Sequence, residues 1–312
     1  MAADHVPETR DLDGDDAWST LKRVRYLPLA RESIERFREA SGMAYARAIG
    51  FQIVLATLPA IIFFVAFASW TDIDTVRNAI EGVVTSLAPG SSGFLEDAVN
   101  QGEQSGGRNL APLVFGGLAA IVSGAAGMGQ FIEVSSRIYG IEQGRSVWKI
   151  YGIGVMLTLT VGVLMAGAPV AISFGSTIAE SVAGDSVWAW VRWPLATVGL
   201  VIALSALYVV APGRNQPRIS WLLVGGVTAT ALWLLLSGGL ALYLALSSTF
   251  EQTYGSIAGL IGLALWAQLT GIAVILGLCF AAELEAERAG AESTTEEVSA
   301  DGRRESEPAP LR

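Results

Sequence analysis

The amino-acid sequence predicts an all-α integral membrane protein with six transmembrane helices and both termini in the cytoplasm. The composition is 52% hydrophobic and only 16% charged, with a mean hydropathy of +0.49, whereas an ordinary soluble domain is about a quarter charged. Several stretches carry no charge at all, and one of them runs for 27 residues from Ser256 to Ala282. Because about 20 apolar residues cross the ~30 Å hydrocarbon core of a bilayer, such stretches predict membrane-spanning helices.

Six apolar runs are long enough to span, and charge or turn chemistry separates them. They lie at residues 48–70, 110–136, 150–174, 187–210, 221–247 and 255–282. The connections contain stretches such as "PGSSG", "QSGGRN" and "APGRNQPR", which are typical of turns. We therefore expect a transmembrane domain over residues 48–287. The flanking tails, residues 1–28 and 288–312, are acidic and poor in bulky apolar residues, which predicts disorder.

The basic residues indicate the orientation. Of the 20 Lys and Arg residues, 17 lie before the first span, in the second or fourth connection, or after the last span. The long first connection contains only Arg77 and Arg108, and Arg192 lies near the outer end of the fourth span. Cytoplasmic segments are enriched in Lys and Arg. We therefore expect a multi-pass protein of the plasma (inner) membrane with a cytoplasmic N-terminus and C-terminus.

An amphipathic helix is predicted at residues 29–47, directly before the first span. Leu29, Ile34, Phe37 and Ala44 recur at near-helical spacing, and arginines lie elsewhere around the helix. This pattern is typical of a helix that lies on the inner membrane surface. A cytoplasmic helix that packs on the protein's own loops would show a similar pattern.

The scarcity of metal-binding and thiol residues excludes much chemistry. Cys279 is the only cysteine and His5 the only histidine, so an internal disulfide and a Cys/His zinc site are both excluded. The stretch "DLDGDD" has its glycine in the fourth position instead of the sixth, and Lys22 stands where a calcium loop has its closing glutamate. We expect no metal and no cofactor.

Polar or backbone-breaking residues within the spans are the candidates for a functional role. Ionisable groups in a membrane are costly and are functional suspects; Glu133 is one, although Arg137 at i+4 equally suits a structural ion pair. The glutamines suit either a polar path or hydrogen bonds between helices, and the proline kink suits either a gate or packing. The candidate set is Gln52, Pro59, Gln130, Glu133, Arg137, Tyr254, Gly255, Gln268 and Glu283.

The last span ends at Glu283. Its 27 apolar residues would extend about 40 Å as a helix, roughly 10 Å more than the bilayer core requires, so we expect a tilted helix or a sheltered cytoplasmic end. A sheltered Glu283 needs a cation, and we expect it from the inner loops, which carry Arg137, Arg145, Arg214 and Arg218. Its role is then either a structural tie or a gate contact. Glu285 and Glu287 are expected to continue into solvent.

Several motifs resemble the YihY/BrkB family of six-helix membrane proteins, which once carried the name ribonuclease BN. The most specific is "TYGSIAGLIGLALWAQ" followed by "ILGLCFAAELEAE", which is similar to the family's YGS…W…LG-AELNAE ending. The first helix "FQIVLATLPAIIFF", the stretch "RIYGIEQGRSVWK" and the basic loop that begins "APGRNQPR" are also alike. The resemblance covers roughly residues 29–287. It implies a transporter-like or virulence-factor-like membrane protein and supplies no catalytic residues.

Two functions remain open on the sequence, and a third is disfavoured. The first is a transporter or permease that moves an unidentified solute or lipid; the second is a membrane scaffold or envelope-integrity protein that acts through partners. Metal-dependent ribonuclease activity would need clustered carboxylates or histidines, and RNA binding would need a broad basic surface, whereas the net charge is −9. We expect no enzyme activity and no nucleic-acid partner. The lipid bilayer is the expected partner, and a homo-oligomer is left open.

The acidic composition also bears on the source of the protein. Only two of the 20 basic residues are lysine, and the tails are rich in Asp and Glu. High acidity keeps a protein solvated where salt screens its charges, which favours a halophilic source.

Thiol labelling tests the predicted orientation. In a Cys279→Ser background, single cysteines at Ser91 and Gly184 should react with a membrane-impermeant thiol reagent from outside intact cells, and cysteines at Ser146 and Asn215 should not. The reverse pattern would contradict the orientation, and a mixed pattern within either pair would contradict the six-span count.

Overall fold

The computed structural model describes residues 6–9, 11–24, 26–71, 110–141, 145–160 and 185–305 of the 312-residue chain. All regular secondary structure within these ranges is helical. A 3₁₀ turn, Gly255–Ile257, separates the last two helices. The α-helices are α1 Gly14–Arg23, α2 Tyr26–Glu39, α3 Gly42–Thr71, α4 Leu110–Ile138, α5 Val147–Thr160, α6 Asp185–Val210, α7 Ile219–Leu246, α8 Ser248–Tyr254 and α9 Ala258–Glu305.

Five of these helices contain a segment that is long and apolar enough to cross a membrane. The segments are Gly42–Phe64, Leu110–Ile138, Trp193–Val210, Ile219–Leu246 and Ala258–Gly290. Helix α5 is apolar but shorter, and the rest of the predicted third span, residues 161–174, lies outside the described residues. Large side chains on the outer faces, such as Phe115, Leu235 and Leu246, are exposed, as expected of a surface that faces lipid. The chain is therefore an all-helical, multi-pass membrane protein.

The N-terminal region is folded between Val6 and Val24, apart from Arg10, which is not described; the sequence predicted a disordered tail here. The aspartates of "DLDGDD" cap α1: the Asp13 carboxylate accepts the backbone N–H groups of Asp15 and Asp16 at 3.0 and 3.3 Å, and Asp16 accepts the N–H of Asp13. Helix α1 packs against α7 and α9, and its residues Ala17 and Thr20 are buried. The acidic composition therefore did not predict this helix, which is capped and packs against the bundle.

The predicted amphipathic helix at residues 29–47 is two helices. The chain turns between α2 and α3 at Ser41, whose φ of 59° lies in the left-handed region. The next residue is Gly42. A side chain does not fit at this position, because a Cβ there would lie 2.4 Å from the Phe37 ring. Leu29 and Phe37 are buried on the side of α2 that packs against α9. This burial favours the alternative of a helix packed on its own protein.

Helix α9 extends well beyond the predicted end of the last span. It continues to Glu305, whereas disorder was expected from residue 288. Residues 283–287 alternate Glu with Leu and Ala, which are strong helix formers. The helix therefore has no local reason to stop where its apolar run stops.

Close crossings between the helices depend on small residues. A Cβ on Gly277 of α9 would lie 2.5 Å from the Ala229 Cβ and 2.7 Å from the Gly225 carbonyl oxygen of α7. In the same way, a Cβ on Gly116 of α4 would lie 2.9 Å from the carbonyl oxygen of Pro59 in α3. These contacts bring backbone against backbone, as small residues do in membrane helix pairs.

Candidate functional site

Charged and polar contacts concentrate at one end of the helical bundle, called here the charged end. It is formed by the N-terminal segment before α1, helix α2, the turn after α4, the loop 211–218 and the part of α9 from Glu283 to Arg288. These segments are far apart in sequence. Their side chains meet around the stretch of α9 that follows its apolar run.

Glu283 forms the first buried ion pair of the charged end. Arg36 of α2 donates from Nε to the Glu283 carboxylate at 2.5 Å and from Nη1 to the backbone carbonyl of Ile138 at 2.8 Å. The side chains are 7% and 13% exposed. A single guanidinium therefore joins α2, α9 and the last residue of α4.

Glu285 forms the second ion pair and is more deeply buried. Its carboxylate accepts from Nη2 of Arg214 and from the Thr9 hydroxyl. The side chains of Arg214 and Glu285 are 2% and 0% exposed. The other terminal nitrogen of Arg214 donates to the backbone carbonyls of Val6 and Pro7, at 3.0 and 2.9 Å. The hydrogen bonds to this pair thus come from the N-terminal segment, which contributes the Thr9 hydroxyl and the two backbone carbonyls.

The two glutamates face different sides of α9. Residues two apart on an α-helix are about 200° apart around its axis. Glu283 therefore faces α2, and Glu285 faces the loop 211–218. Two faces of one helix end are sealed by separate buried ion pairs, so any movement of this end must break or carry both.

Tyr139 lies under the second pair. Its ring is fully buried, and the guanidinium of Arg214 lies 3.9 Å from the ring centroid, a cation–π contact. Burial raises the pKa of the Tyr139 hydroxyl well above its usual value; the Glu285 carboxylate adds to the rise and Arg214 opposes it. The tyrosine therefore stays neutral at physiological pH and presents an uncharged ring to the arginine.

The loop 211–218 is held by a second arginine. Arg145 donates to the backbone carbonyls of Ala211 and Pro212 at 3.1 and 3.0 Å. These carbonyls follow the end of α6, where no further backbone N–H groups of the helix are available to donate to them. Arg145 thereby fixes the loop that carries Arg214.

Glu133 has a partner besides the predicted Arg137. It accepts from Arg137 Nη2 at 3.1 Å and from the Tyr45 hydroxyl at 2.6 Å, and the Arg137 guanidinium lies over the Tyr45 ring. The Glu133 and Arg137 side chains are 37% and 49% exposed. A pair this exposed contributes little to stability, and Glu133 joins α4 to α3.

The remaining candidate residues lie at separate places. Gln268 of α9 donates to the Met43 sulfur at 3.8 Å, and the Gln52 Cβ on α3 lies 3.2 Å from the position of a Cβ on Gly127. Gln130 is half buried, one turn before Glu133 on α4. The described contacts therefore do not join the glutamines into one polar path.

Tyr254 and Gly255 lie between α8 and α9. The Tyr254 side chain is 41% exposed and its ring packs against Phe250, with centroids 4.9 Å apart. Gly255 has a φ of 52°, a conformation that favours glycine. This motif therefore shapes the turn into α9.

Two expectations about the charged end were wrong. The partner of Glu283 is Arg36, which precedes the first span, and not an arginine of the inner loops. Glu285 does not continue into solvent but is fully buried. The reason is that α2 and the N-terminal segment, which the sequence placed on the membrane surface or in a disordered tail, cover α9 here.

Sequence reasoning also missed residues that complete the site: Thr9, Tyr45 and Tyr139. Thr9 lies in a segment expected to be disordered, and nothing around it marks a buried hydroxyl. The two tyrosines lie next to predicted span ends, where aromatic residues are ordinarily read as interface anchors. Among the described residues, no three His, Cys, Asp or Glu side chains form a group suited to a metal ion.

This architecture defines a multi-pass helical membrane protein, and comparison with known proteins places it in a family. The family model described as Virulence factor BrkB matches residues 33–302. The chain therefore belongs to the BrkB family, and the resemblance predicted from its motifs is confirmed. No solved structure matches it.

The relatives carry two kinds of name. The chain is 28% identical to the ribonuclease-like protein YfkH of Bacillus subtilis (strain 168), over 79% of this chain and 91% of that protein. It is 27% identical to a UPF0761 membrane protein of Alkalilimnicola ehrlichii, over 79% of this chain and 56% of the relative. For one from Azotobacter vinelandii the identity is 26%, over 89% and 65%. The chain thus spans less than two thirds of these two UPF0761 proteins.

Replacing Arg36 tests whether its ion pair holds the charged end. Arg36→Gln leaves the Glu283 carboxylate buried without its cation, which should lower the free energy of unfolding by about 3–5 kcal/mol. The measurement is a thermal or denaturant melt of the purified protein in detergent.

Arg31 on the same helix provides the matched control. It pairs with Glu35 at 3.2 Å, but the side chains are 82% and 55% exposed. Arg31→Gln should therefore change stability by less than about 1 kcal/mol. Equal effects of the two substitutions would show that the burial of the Arg36 pair does not matter.

Proposed function

We propose that this protein is a six-helix transporter or permease-like protein of the cell membrane, with an unidentified solute or lipid as substrate and with both termini in the cytoplasm. In this proposal the charged end is the inner gate. The ion pairs of Glu283 and Glu285 fix this part of α9 against its neighbours, which keeps the gate closed. Transport requires this part of α9 to move.

The observation that carries the proposal is the pair of buried ion pairs on two faces of α9. Taking charges out of water costs several kcal/mol per ion, and apolar residues of similar size would often serve stability as well or better. Ion pairs that can break and re-form suit a gate, because each charge can exchange its partner for water or for a substrate.

The orientation and the sixth span belong to the same proposal. The segments that form the charged end are the ones that carry the excess of Lys and Arg, which supports a cytoplasmic position for all of them. Helix α5 supplies the beginning of the third span. With this span in place, six crossings return the chain to the side on which it started.

We propose no enzyme activity and no nucleic-acid partner. One relative is named ribonuclease-like, but this chain has one histidine and a net charge of −9. The buried carboxylates of the charged end, Glu283 and Glu285, are each occupied by an arginine. A carboxylate that neutralises a buried guanidinium is poorly placed to hold a catalytic metal.

A scaffold that acts through partners, including other copies of the chain, is the second candidate. The backbone contacts at Gly116 and Gly277 favour it, because close-packed crossings suit a rigid bundle. A scaffold works with its inner end closed, whereas a transporter must open it. This difference separates the two functions by experiment.

A reversible cross-link between α2 and α9 tests the difference. Helix α2 packs against α9. Partial burial raises the pKa of Glu32 of α2, and the Glu287 carboxylate of α9 adds to the rise, so replacing both residues relieves repulsion. Glu32→Cys and Glu287→Cys in a Cys279→Ser background would be joined by a reducible bifunctional thiol reagent. The control joins Arg31→Cys to Glu35→Cys within α2, which leaves α9 free.

The readout is flux in proteoliposomes loaded with a cell extract and a fluorescent phospholipid. We expect the protein to release at least one solute or to move the lipid between leaflets. The cross-link between α2 and α9 should stop this flux, and reduction of the cross-link should restore it. The control cross-link should have no effect. A folded protein that restores growth of a deletion strain but moves neither solute nor lipid would contradict transport and favour the scaffold.

A further inference from the structure

The segment before α1 lies across the charged end as a strap, defined here as residues 6–9 and 11–13. It joins the turn after α4 through the Val6 N–H, which donates to the Tyr139 carbonyl at 3.3 Å, and the loop 211–218 through the Arg218 N–H, which donates to the Leu12 carbonyl at 3.3 Å. Between these points, Thr9 bonds to Glu285. The strap therefore covers the second buried ion pair through Val6, Pro7 and Thr9.

The outer contacts of the strap and of α1 involve carboxylates that are exposed or half-buried. Asp13 lies 3.8 Å from Arg218, with side chains 39% and 65% exposed. Asp16 of α1 accepts from Arg288 of α9 at 3.2 Å, and Glu8 accepts from the Asn215 amide at 3.0 Å. Contacts of this kind are individually weak, and salt screens them over ~8 Å at physiological ionic strength.

The inner contacts of the strap are of the opposite kind. Val6 and Leu12 are buried in the same apolar cluster as Tyr139 and Cys279. Arg214 uses one nitrogen for the strap carbonyls and another for Glu285. If the strap leaves, Arg214 loses two acceptors, Glu285 loses a donor, and the apolar cluster meets water.

We propose that the strap is a releasable lock: ion pairs at its outer side help to hold it in place, and its departure uncovers the Arg214–Glu285 pair and frees α9 from Glu283 onward. Raised ionic strength releases it by screening Asp13 and Asp16. The release itself does not depend on the proposed function. Only its purpose, which is to let the inner gate open, rests on that function.

Cys279 is a built-in probe of the lock. It is the only thiol in the chain, it is fully buried, and it belongs to the same apolar cluster as Val6 and Leu12 of the strap. A maleimide can reach it only when the cluster opens. The rate of labelling in the full-length protein, purified in detergent, therefore reports opening of this cluster, to which the strap contributes Val6 and Leu12.

The test compares the wild type with Thr9→Val/Asp13→Asn/Asp16→Asn. Valine keeps the shape of threonine without its hydroxyl, and asparagine keeps the helix cap without its charge. We expect Cys279 to react at least about tenfold faster in this variant, since it loses one hydrogen bond to a charged group and two ion pairs. The matched control is Asp11→Asn, which removes an exposed charge from the same strap and should leave the rate within about twofold of the wild type.

Wild-type protein provides the second measurement, which needs no substitution. Its labelling rate should rise several-fold between low salt and about 1 M salt, where the Debye length falls to ~3 Å, and it should rise less in the triple variant. An unchanged rate in a folded triple variant, or a wild-type rate that does not depend on salt, would overturn the lock. Faster labelling without any flux in proteoliposomes would support the lock and contradict the transporter.

Discussion

Two carboxylates of α9, just beyond its apolar run, must be neutralised where they are buried, and the rest of the charged end depends on this requirement. Glu283 and Glu285 lie on different faces of the helix, so one cation cannot serve both. Each draws its arginine from a distant part of the chain: Arg36 from α2 and Arg214 from the loop 211–218. The buried pairs therefore decide which segments must fold against α9.

The supporting contacts follow from the same requirement. Arg214 has more donors than Glu285 can accept, and its other nitrogen takes the strap carbonyls of Val6 and Pro7. Arg145 holds the loop that presents Arg214. An acidic N-terminal sequence thereby becomes ordered, because its backbone and Thr9 complete a buried network. Such a network is stable when complete and costly when one partner is missing, which suits a device with a closed state and an open state.

The membrane helices could be predicted from the sequence, and the contacts of the charged end could not. Long uncharged runs marked the five helices that are able to span, because the bilayer imposes their length locally. The pair Glu133–Arg137 was also predictable, since i,i+4 spacing brings the side chains together. The pairing of Arg36 with Glu283 joins residues 247 positions apart, and no local rule connects them. The order of the N-terminal segment depends on Glu285 and Arg214, so composition alone indicated disorder.

A double-mutant cycle on Arg214 and Glu285 tests the central claim, that a buried charge pair holds this end together. The free energy of unfolding in mixed detergent would be measured for the wild type, Arg214→Gln, Glu285→Gln and the double variant. Each single variant should lose about 3–5 kcal/mol, because it leaves one buried charge without its partner. The double variant should lose less than the sum of the two, by at least about 1 kcal/mol. Additive losses would show that the two side chains act independently and would contradict the account.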